Sequence, residues 1–219
     1  MTLDLSRFDA AIVDLDGTMV DTLGDFVVAM NLMLTDLALP QVNADTVERM
    51  VGKGSEHLIL SVLNHVQVPA EQQFDRAWGA YQHHYRDING RHSAVYPGVV
   101  AGLEALRARK LKLACLTNKP TAFAKSLLAA KGLDGFFAAT FGGDAFERKK
   151  PDPLPLRKTC EALGTVPERT LMIGDSSNDA RAARAAGCPV VLVRYGYNHG
   201  EPIESVDADG LVDSLEALG

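Results

Sequence analysis

From residue 99 onwards the chain alternates between two kinds of segment. Short apolar runs at Leu111 to Leu116, Phe137 to Phe141, Thr170 to Ile173 and Pro189 to Arg194 read as strands. Between them lie Val99 to Ala108, Thr121 to Ala130, Leu154 to Leu163 and Asn178 to Ala186, with apolar positions at helical spacing. Gly132, Gly164 and Gly187 follow three of these stretches, where a helix C-cap favours glycine. Leu211 to Leu218 reads as a final helical turn or two, and Ala10 to Asp14 supplies one more strand near the start. Strands that alternate with helices pair in parallel, because a parallel pair needs a crossover connection. The expected fold is therefore α/β, a doubly wound parallel sheet covered on both faces, Rossmann-like in layout. At 219 residues and 47% hydrophobic, the chain can bury the core such a sheet requires.

Between the first strand and residue 88 the alternation is missing. Val27, Met30, Leu34 and Leu37 recur at helical spacing, followed by Val47, Met50 and Val51, then Leu58, Val62 and Leu63, then Trp78, Tyr81 and Tyr85. Ile88 to Pro97, with Asn89-Gly90 and Tyr96-Pro97-Gly98, reads as a linker back to the sheet. The expected organisation is a Rossmann-like core, residues 1–18 and 88–219, with a block of helices, residues 19–87, inserted after the first strand.

The bulk numbers narrow the partners. A net charge of −6 argues against a nucleic-acid partner, which calls for a basic face. It does not argue against an anionic small substrate, since a bound metal inverts the local field. Cys115, Cys160 and Cys188 lie far apart without CxxC spacing, so a disulfide framework or zinc site is not expected and the cytoplasm is the expected compartment. No apolar run reaches the roughly 18 residues of a membrane span, and the N-terminus does not read as a signal peptide.

In open parallel sheets, ligands bind outside the carboxyl ends of the strands. The polar clusters fall there. The first strand runs into Asp14-Leu15-Asp16-Gly17-Thr18, and the Leu111 strand into Thr117-Asn118-Lys119. The Phe137 strand is followed by Gly142-Gly143-Asp144 and then Lys149-Lys150-Pro151; the Thr170 strand runs into Gly174-Asp175-Ser176-Ser177-Asn178-Asp179. Each cluster alone is compatible with a turn or a helix cap. Four of them in this order also read as one site. Asp14 is a candidate nucleophile, since a carboxylate can carry a phosphoryl group between two easier steps. Asp16 is a candidate proton donor and later base. Asp175 adds a third carboxylate, and hard oxygen donors without His or Cys suit Mg2+. Thr117, Asn118 and Lys150 would stabilise the transferred phosphoryl charge.

The stretches DLDGT, LTNK, KKPDP and GDSSNDA together resemble the haloacid dehalogenase-like hydrolases, over nearly the whole chain. The resemblance implies that residues 19–87 form a mobile cap. It implies Asp14 as nucleophile, Asp16 as acid and base, Thr117 as the second-motif donor and Lys150 as the third-motif lysine. Mg2+ would be held by Asp14, the backbone carbonyl of Asp16, and Asp175, with Asp179 orienting the metal site or Lys150. An acid at position 16 is similar to the phosphatases and phosphomutases of the family. Leu116 to Thr121, Tyr195 to Gly200, Tyr96-Pro97-Gly98 and Val51 to Gly54 are similar to its phosphoglycolate phosphatase branch. That likeness implies 2-phosphoglycolate as substrate, with Gly52, Lys53 and Gly54 on the cap closing over it and Lys53 meeting its carboxylate. Arg49, Arg86, His57, His83 and His84 read as surface residues and Trp78 as core. Two other functions fit parts of the pattern. A sugar phosphomutase, β-phosphoglucomutase-like, shares the core, and a receiver-type signalling domain shares the acids, Thr and Lys but lacks an inserted helical block. The expected partner is a small phosphorylated substrate, with no nucleic acid and no membrane, for a monomer or homodimer.

Overall fold

The computed structural model describes residues 4–219. Strand β1 (Ala10–Val13) is followed by the two-residue β2 (Val20–Asp21), then by helices α1 (Leu23–Asp36), α2 (Ala44–Glu48), α3 (Ser55–His65) and α4 (Ala70–Ile88). The chain returns through β3 (Ala94–Val95). It then alternates through α5 (Val99–Ala108), β4 (Lys112–Leu116), α6 (Thr121–Ala130), β5 (Ala139–Phe141), α7 (Leu154–Leu163), β6 (Thr170–Gly174), α8 (Ser177–Ala186), β7 (Val190–Val193) and β8 (Gly210–Val212). A 3-10 turn, Leu215–Leu218, ends it.

Six strands form one parallel sheet in the order β5-β4-β1-β6-β7-β8. Strand side chains alternate between the two faces, and the buried residues sort accordingly. Ala11, Val13, Leu113, Cys115, Leu171, Ile173, Val191 and Val193 pack with α5 and α6 on one face. Ala10, Ile12, Ala114, Leu116, Met172, Val190 and Leu192 pack with α7 and α8 on the other. Both faces are covered, as the near-continuous apolar strands require. After β1 the chain builds outward through β4 and β5, then crosses back to β6 on β1's other side. The strand order thus reverses at β1, and a crevice opens at the carboxyl ends of β1, β4 and β6.

Helices α1 to α4 bury an apolar cluster of their own, including Met30, Met33, Leu34, Ile59, Leu63, Tyr81 and Tyr85. The entry and exit of this layer are tied together. β2 and β3 pair antiparallel, Val20 with Val95 and Asp21 with Ala94. The fully buried Asp25 carboxylate accepts the backbone N–H groups of Gly90 at 2.8 Å and His92 at 2.6 Å. Lys131 Nζ donates to the carbonyls of Gly90 and Ser93 at 2.8 and 2.6 Å.

Four strands differ from the sequence reading. β2 and β3 lie in segments read as helix and linker; two-residue strands are too short to show a period of two. Gly210–Val212 is an edge strand registered on β7, although Leu211, Leu215 and Leu218 repeat at helical intervals. β5 begins at Ala139, because Asp134–Phe136 form a 3-10 turn. Cys115, Cys160 and Cys188 are all buried free thiols. Among the described residues no helix is long and apolar enough to cross a membrane.

Candidate active site

Every strand that borders the switch point delivers its polar cluster to one place. The Asp14 N–H donates to Ile173 O at 2.9 Å, continuing the β1–β6 pairing one residue past the strand. Gly17 then turns the chain with φ +82°, and its N–H donates to Val20 O at 2.9 Å. A Cβ at Gly17 would stand 2.1 Å from Asp175 Oδ2, so only glycine lets the two loops meet here. Across β1, the Thr117 N–H donates to Phe141 O at 3.0 Å and aligns the end of β4.

The charged centre is compact and buried. Asp14, Lys150, Asp175 and Asp179 are all buried. Lys150 Nζ lies 3.0 Å from Asp14 Oδ1 and 2.7 Å from Asp179 Oδ1, and donates to Leu116 O at 2.9 Å. The other Asp179 oxygen, Oδ2, accepts from Ser176 Oγ at 2.8 Å and from the N–H groups of Ser176 and Asp175 at 3.2 and 3.3 Å. Asp175 accepts from Thr18 Oγ1 at 3.2 Å and from the Tyr197 N–H at 2.6 Å.

Burial pushes the Asp14 carboxyl up to about 7; Lys150 opposes that rise, while Asp179 and Asp16 add to it. Burial also raises Asp175 well above the carboxylate range, reinforced by Asp179 and Asp14. For Lys150 burial acts downward, yet Asp14 and Asp179 outweigh it and the shift is upward. One ammonium among three buried carboxylates leaves a negative excess. Asp14, Asp175 and Asp179 each offer an oxygen within 4.8 Å of the others. Asp14 Oδ1 has no hydrogen bond, its approach to Lys150 being out of line for one. Uncompensated charge, an orphaned carboxylate oxygen and an all-oxygen donor set fit a hard divalent cation. Asp179 takes Lys150 on one oxygen and the Ser176 and Asp175 donors on the other, and so holds that lysine and the Asp175 loop in place.

Asp16 takes a different position. Its Oδ1 is 2.9 Å from Lys119 Nζ, and the lysine also donates to Tyr85 Oη at 2.6 Å. The ammonium stands over the rings of Phe26 and Tyr85, 4.6 and 4.9 Å from their centroids. A cavity of about 30 Å³ lies beside these groups. Asp14, Asp16, Thr117, Asn118 and Lys119 line it from the sheet, and Phe26, Val51, Gly52, Gly54, Ser55 and Leu58 from the helical layer. A larger cavity, about 580 Å³, shares Ser55 and Asn118 with it and opens past Trp78 and Arg86.

Two expected site residues do other work in this geometry. Lys53 is exposed and does not line the site cavity. Gly52 and Gly54, with φ +108° and +90°, turn the loop so that backbone rather than the lysine faces the cavity. Asn118 was expected to donate to a phosphoryl group. Its Nδ2 instead donates to Gly52 O at 3.0 Å and Lys150 O at 2.9 Å, using both amide hydrogens to join three loops. Thr117 Oγ1 accepts from the Lys119 N–H at 3.2 Å, which leaves its own hydrogen to donate. Asn178 also donates to Gly52 O, at 3.2 Å, so the Gly52–Gly54 loop is docked on the sheet side.

The Tyr195–Gly200 segment holds the periphery together. Tyr195 Oη donates to Thr18 O at 2.8 Å. Tyr197 Oη donates to Asp21 and accepts from the N–H groups of Thr22 and Leu23 at 2.9 and 3.0 Å. Sequence reasoning missed Lys119 and Tyr85 as site residues. Lys119 was visible as the next residue after Thr117-Asn118. Tyr85 was hidden because its helical spacing reads as core.

This fold and this set of strand-end residues define a class. The family model described as haloacid dehalogenase-like hydrolase matches residues 11–193, and the chain belongs to that family. The phosphoglycolate phosphatase (plasmid) of Cupriavidus necator is 46% identical over 209 residues, covering 95% of this chain and 90% of that one. The phosphoglycolate phosphatase of Thiobacillus denitrificans is 43% identical, covering 94% and 92%. A crystal structure from Haemophilus somnus 129pt, described as a predicted phosphoglycolate phosphatase, is 34% identical and covers 96% of both chains with a TM-score of 0.92.

Proposed function

We propose that this chain hydrolyses 2-phosphoglycolate to glycolate and phosphate through a phosphoryl group carried on Asp14. It is a phosphoric monoester hydrolase by family and by its relatives. The substrate would sit in the cavity between Asp14 and the helical layer, which Asp16, Thr117 and Lys119 line from the sheet and Phe26, Val51 and Leu58 from the helices. The observation that carries the choice of 2-phosphoglycolate is the similarity to phosphoglycolate phosphatases at 46% and 43% identity over nearly the whole chain. On this reading residues 1–18 and 88–219 are the catalytic core and residues 19–87 the cap. The enzyme works in the cytoplasm as a monomer or homodimer.

Mg2+ would be held by Asp14, the Asp16 carbonyl and Asp175, and would neutralise charge on the phosphoryl oxygens and orient them. The chain's own groups account for the rest. Asp14 attacks phosphorus while Lys150, against its carboxylate, and the Thr117 hydroxyl balance charge on the phosphoryl oxygens. Asp16 protonates the departing glycolate oxygen. It then takes a proton from the water that releases phosphate from Asp14. The apolar walls of Phe26, Val51 and Leu58 exclude other water during the covalent stage.

The test is phosphate release measured as kcat/KM on 2-phosphoglycolate, phospholactate, hexose phosphates, nucleotides and pyrophosphate, with Mg2+ and with excess chelator. Phosphoglycolate should rank first and chelation should silence the reaction. A hexose phosphate or nucleotide at the top would overturn the substrate, and full activity in chelator would overturn the metal.

A further inference from the structure

We propose that Lys119 is the specificity-determining cation that receives the substrate's carboxylate, a proposal that rests on the substrate reading above. The cations around the cavity are few, and the others are committed elsewhere. Lys150 stands at the phosphoryl end of the site, between Asp14 and Asp179, and is not among the residues lining the cavity. Lys149 pairs with Glu56 at 2.7 Å at the rim, and Lys53 is exposed outside the lining. Among the cations of the described residues, Lys119 alone combines a cavity position with near-complete burial, its side chain being 1% exposed.

Its location follows the connectivity of a phosphorylated 2-hydroxy acid. In such a molecule a single carbon separates the ester oxygen from the carboxylate. The ester oxygen must reach Asp16 to be protonated as it leaves, so the carboxylate comes to rest within a few ångströms of Asp16. Lys119 Nζ stands 2.9 Å from that carboxylate side chain. Of its three N–H donors, Asp16 and Tyr85 take two. The third makes no hydrogen bond among the described residues, and on this proposal it donates to the substrate carboxylate. Phe26 and Tyr85 hold the ammonium against their rings and keep bulk water from it, which strengthens a charge-assisted contact. Tyr85 belongs to α4, so the cation is fixed only when the helical layer is seated. Recognition of the acid and closure of the site are thereby one event. A neutral ester would leave Lys119 shared between Asp16 and Tyr85, with no gain from closing.

The experiment compares 2-phosphoglycolate with 2-hydroxyethyl phosphate, which replaces the carboxylate by a neutral hydroxymethyl group. Wild type should prefer phosphoglycolate. Lys119→Gln should lose roughly 10–100-fold more kcat/KM on phosphoglycolate than on the neutral ester. Lys119→Arg, which keeps the charge, should hold the wild-type ratio of the two substrates within about threefold. Equal losses on both substrates in Lys119→Gln, with a shifted pH profile of kcat, would mean that Lys119 acts only through Asp16 and would overturn the proposal. Loss of the ratio in Lys119→Arg would overturn it as well. Failure of the underlying substrate reading is seen separately, in a wild-type enzyme that does not distinguish the two esters.

Discussion

Asp14 illustrates how burial and charge set a residue's task. Its carboxyl is pushed up to about 7 by burial, while Lys150 keeps an ammonium within 3.0 Å. A hard cation at the three-carboxylate cluster would complete the ionisation that a nucleophile needs. Asp14→Asn removes the nucleophile yet conserves shape, so the fold should persist while kcat falls at least about 1000-fold, a loss of ~4 kcal/mol of transition-state stabilisation. Retention of a tenth of wild-type kcat in a cooperatively melting variant would refute the role. At this scale the sequence was informative wherever a polar residue sat at a strand end, since Asp14, Asp16, Thr117, Lys150, Asp175 and Asp179 converge there. It was uninformative about side-chain direction. Nothing in Gly52-Lys53-Gly54 says that the peptide turns inward and the lysine outward. Nothing in Asn118 says that both amide hydrogens are taken by carbonyls of other loops.

Among the elements, the joint between sheet and helical layer is the feature that local pattern could not reveal. The helices α5, α6 and α7 are legible to the residue from their apolar spacing, and Gly132 and Gly164 mark the ends of α6 and α7. The β2–β3 pair and β8 are not, because strands of two or three residues carry no periodicity and are stabilised by distant partners. Asp25 is the clearest case. Its sequence position is the first turn of α1, where an acid is unremarkable, but its carboxylate is fully buried and accepts two N–H groups from the returning segment. Asp25→Ala would leave both donors without an acceptor, at a cost of about 3 kcal/mol. For a chain of this length, that corresponds to a drop in Tm of roughly 6–12 °C. Calorimetry would measure it, and a drop under about 2 °C would show that the joint is held by the β2–β3 ladder and the Tyr197 hydroxyl instead. The variant should also raise KM more than it lowers the rate on saturating substrate, since a loosened joint populates the closed arrangement less.

For the whole molecule, the buried acids couple stability to pH, and a cation bound by them would couple it to metal. In the folded, metal-free chain Asp14 is raised to about 7 and Asp175 is raised well above its ordinary range, both first by burial. An unfolded aspartate titrates near 4. Between about pH 4 and 7, then, the folded chain holds protons that the unfolded chain has released. Stability rises with pH only where the unfolded state binds more protons, so here these groups make the metal-free protein less stable as pH rises through that window. Asp9, lowered by its hydrogen bond to Arg169, acts in the opposite direction at lower pH, so the comparison that isolates the site is the shift produced by Mg2+. A cation competes with the protons on Asp14 and Asp175, so its stabilising effect should grow as those protons leave. At saturating Mg2+ the rise in Tm over chelated protein should be under about 2 °C at pH 5 and roughly 5–10 °C at pH 8. In Asp14→Asn, one titrating group is gone, and the difference between the two pH values should shrink by about half. An Mg2+ shift of the same size at both pH values in the unaltered protein would mean that the cluster does not exchange protons for metal, and the assignment of Asp14 and Asp175 as its ligands would fall.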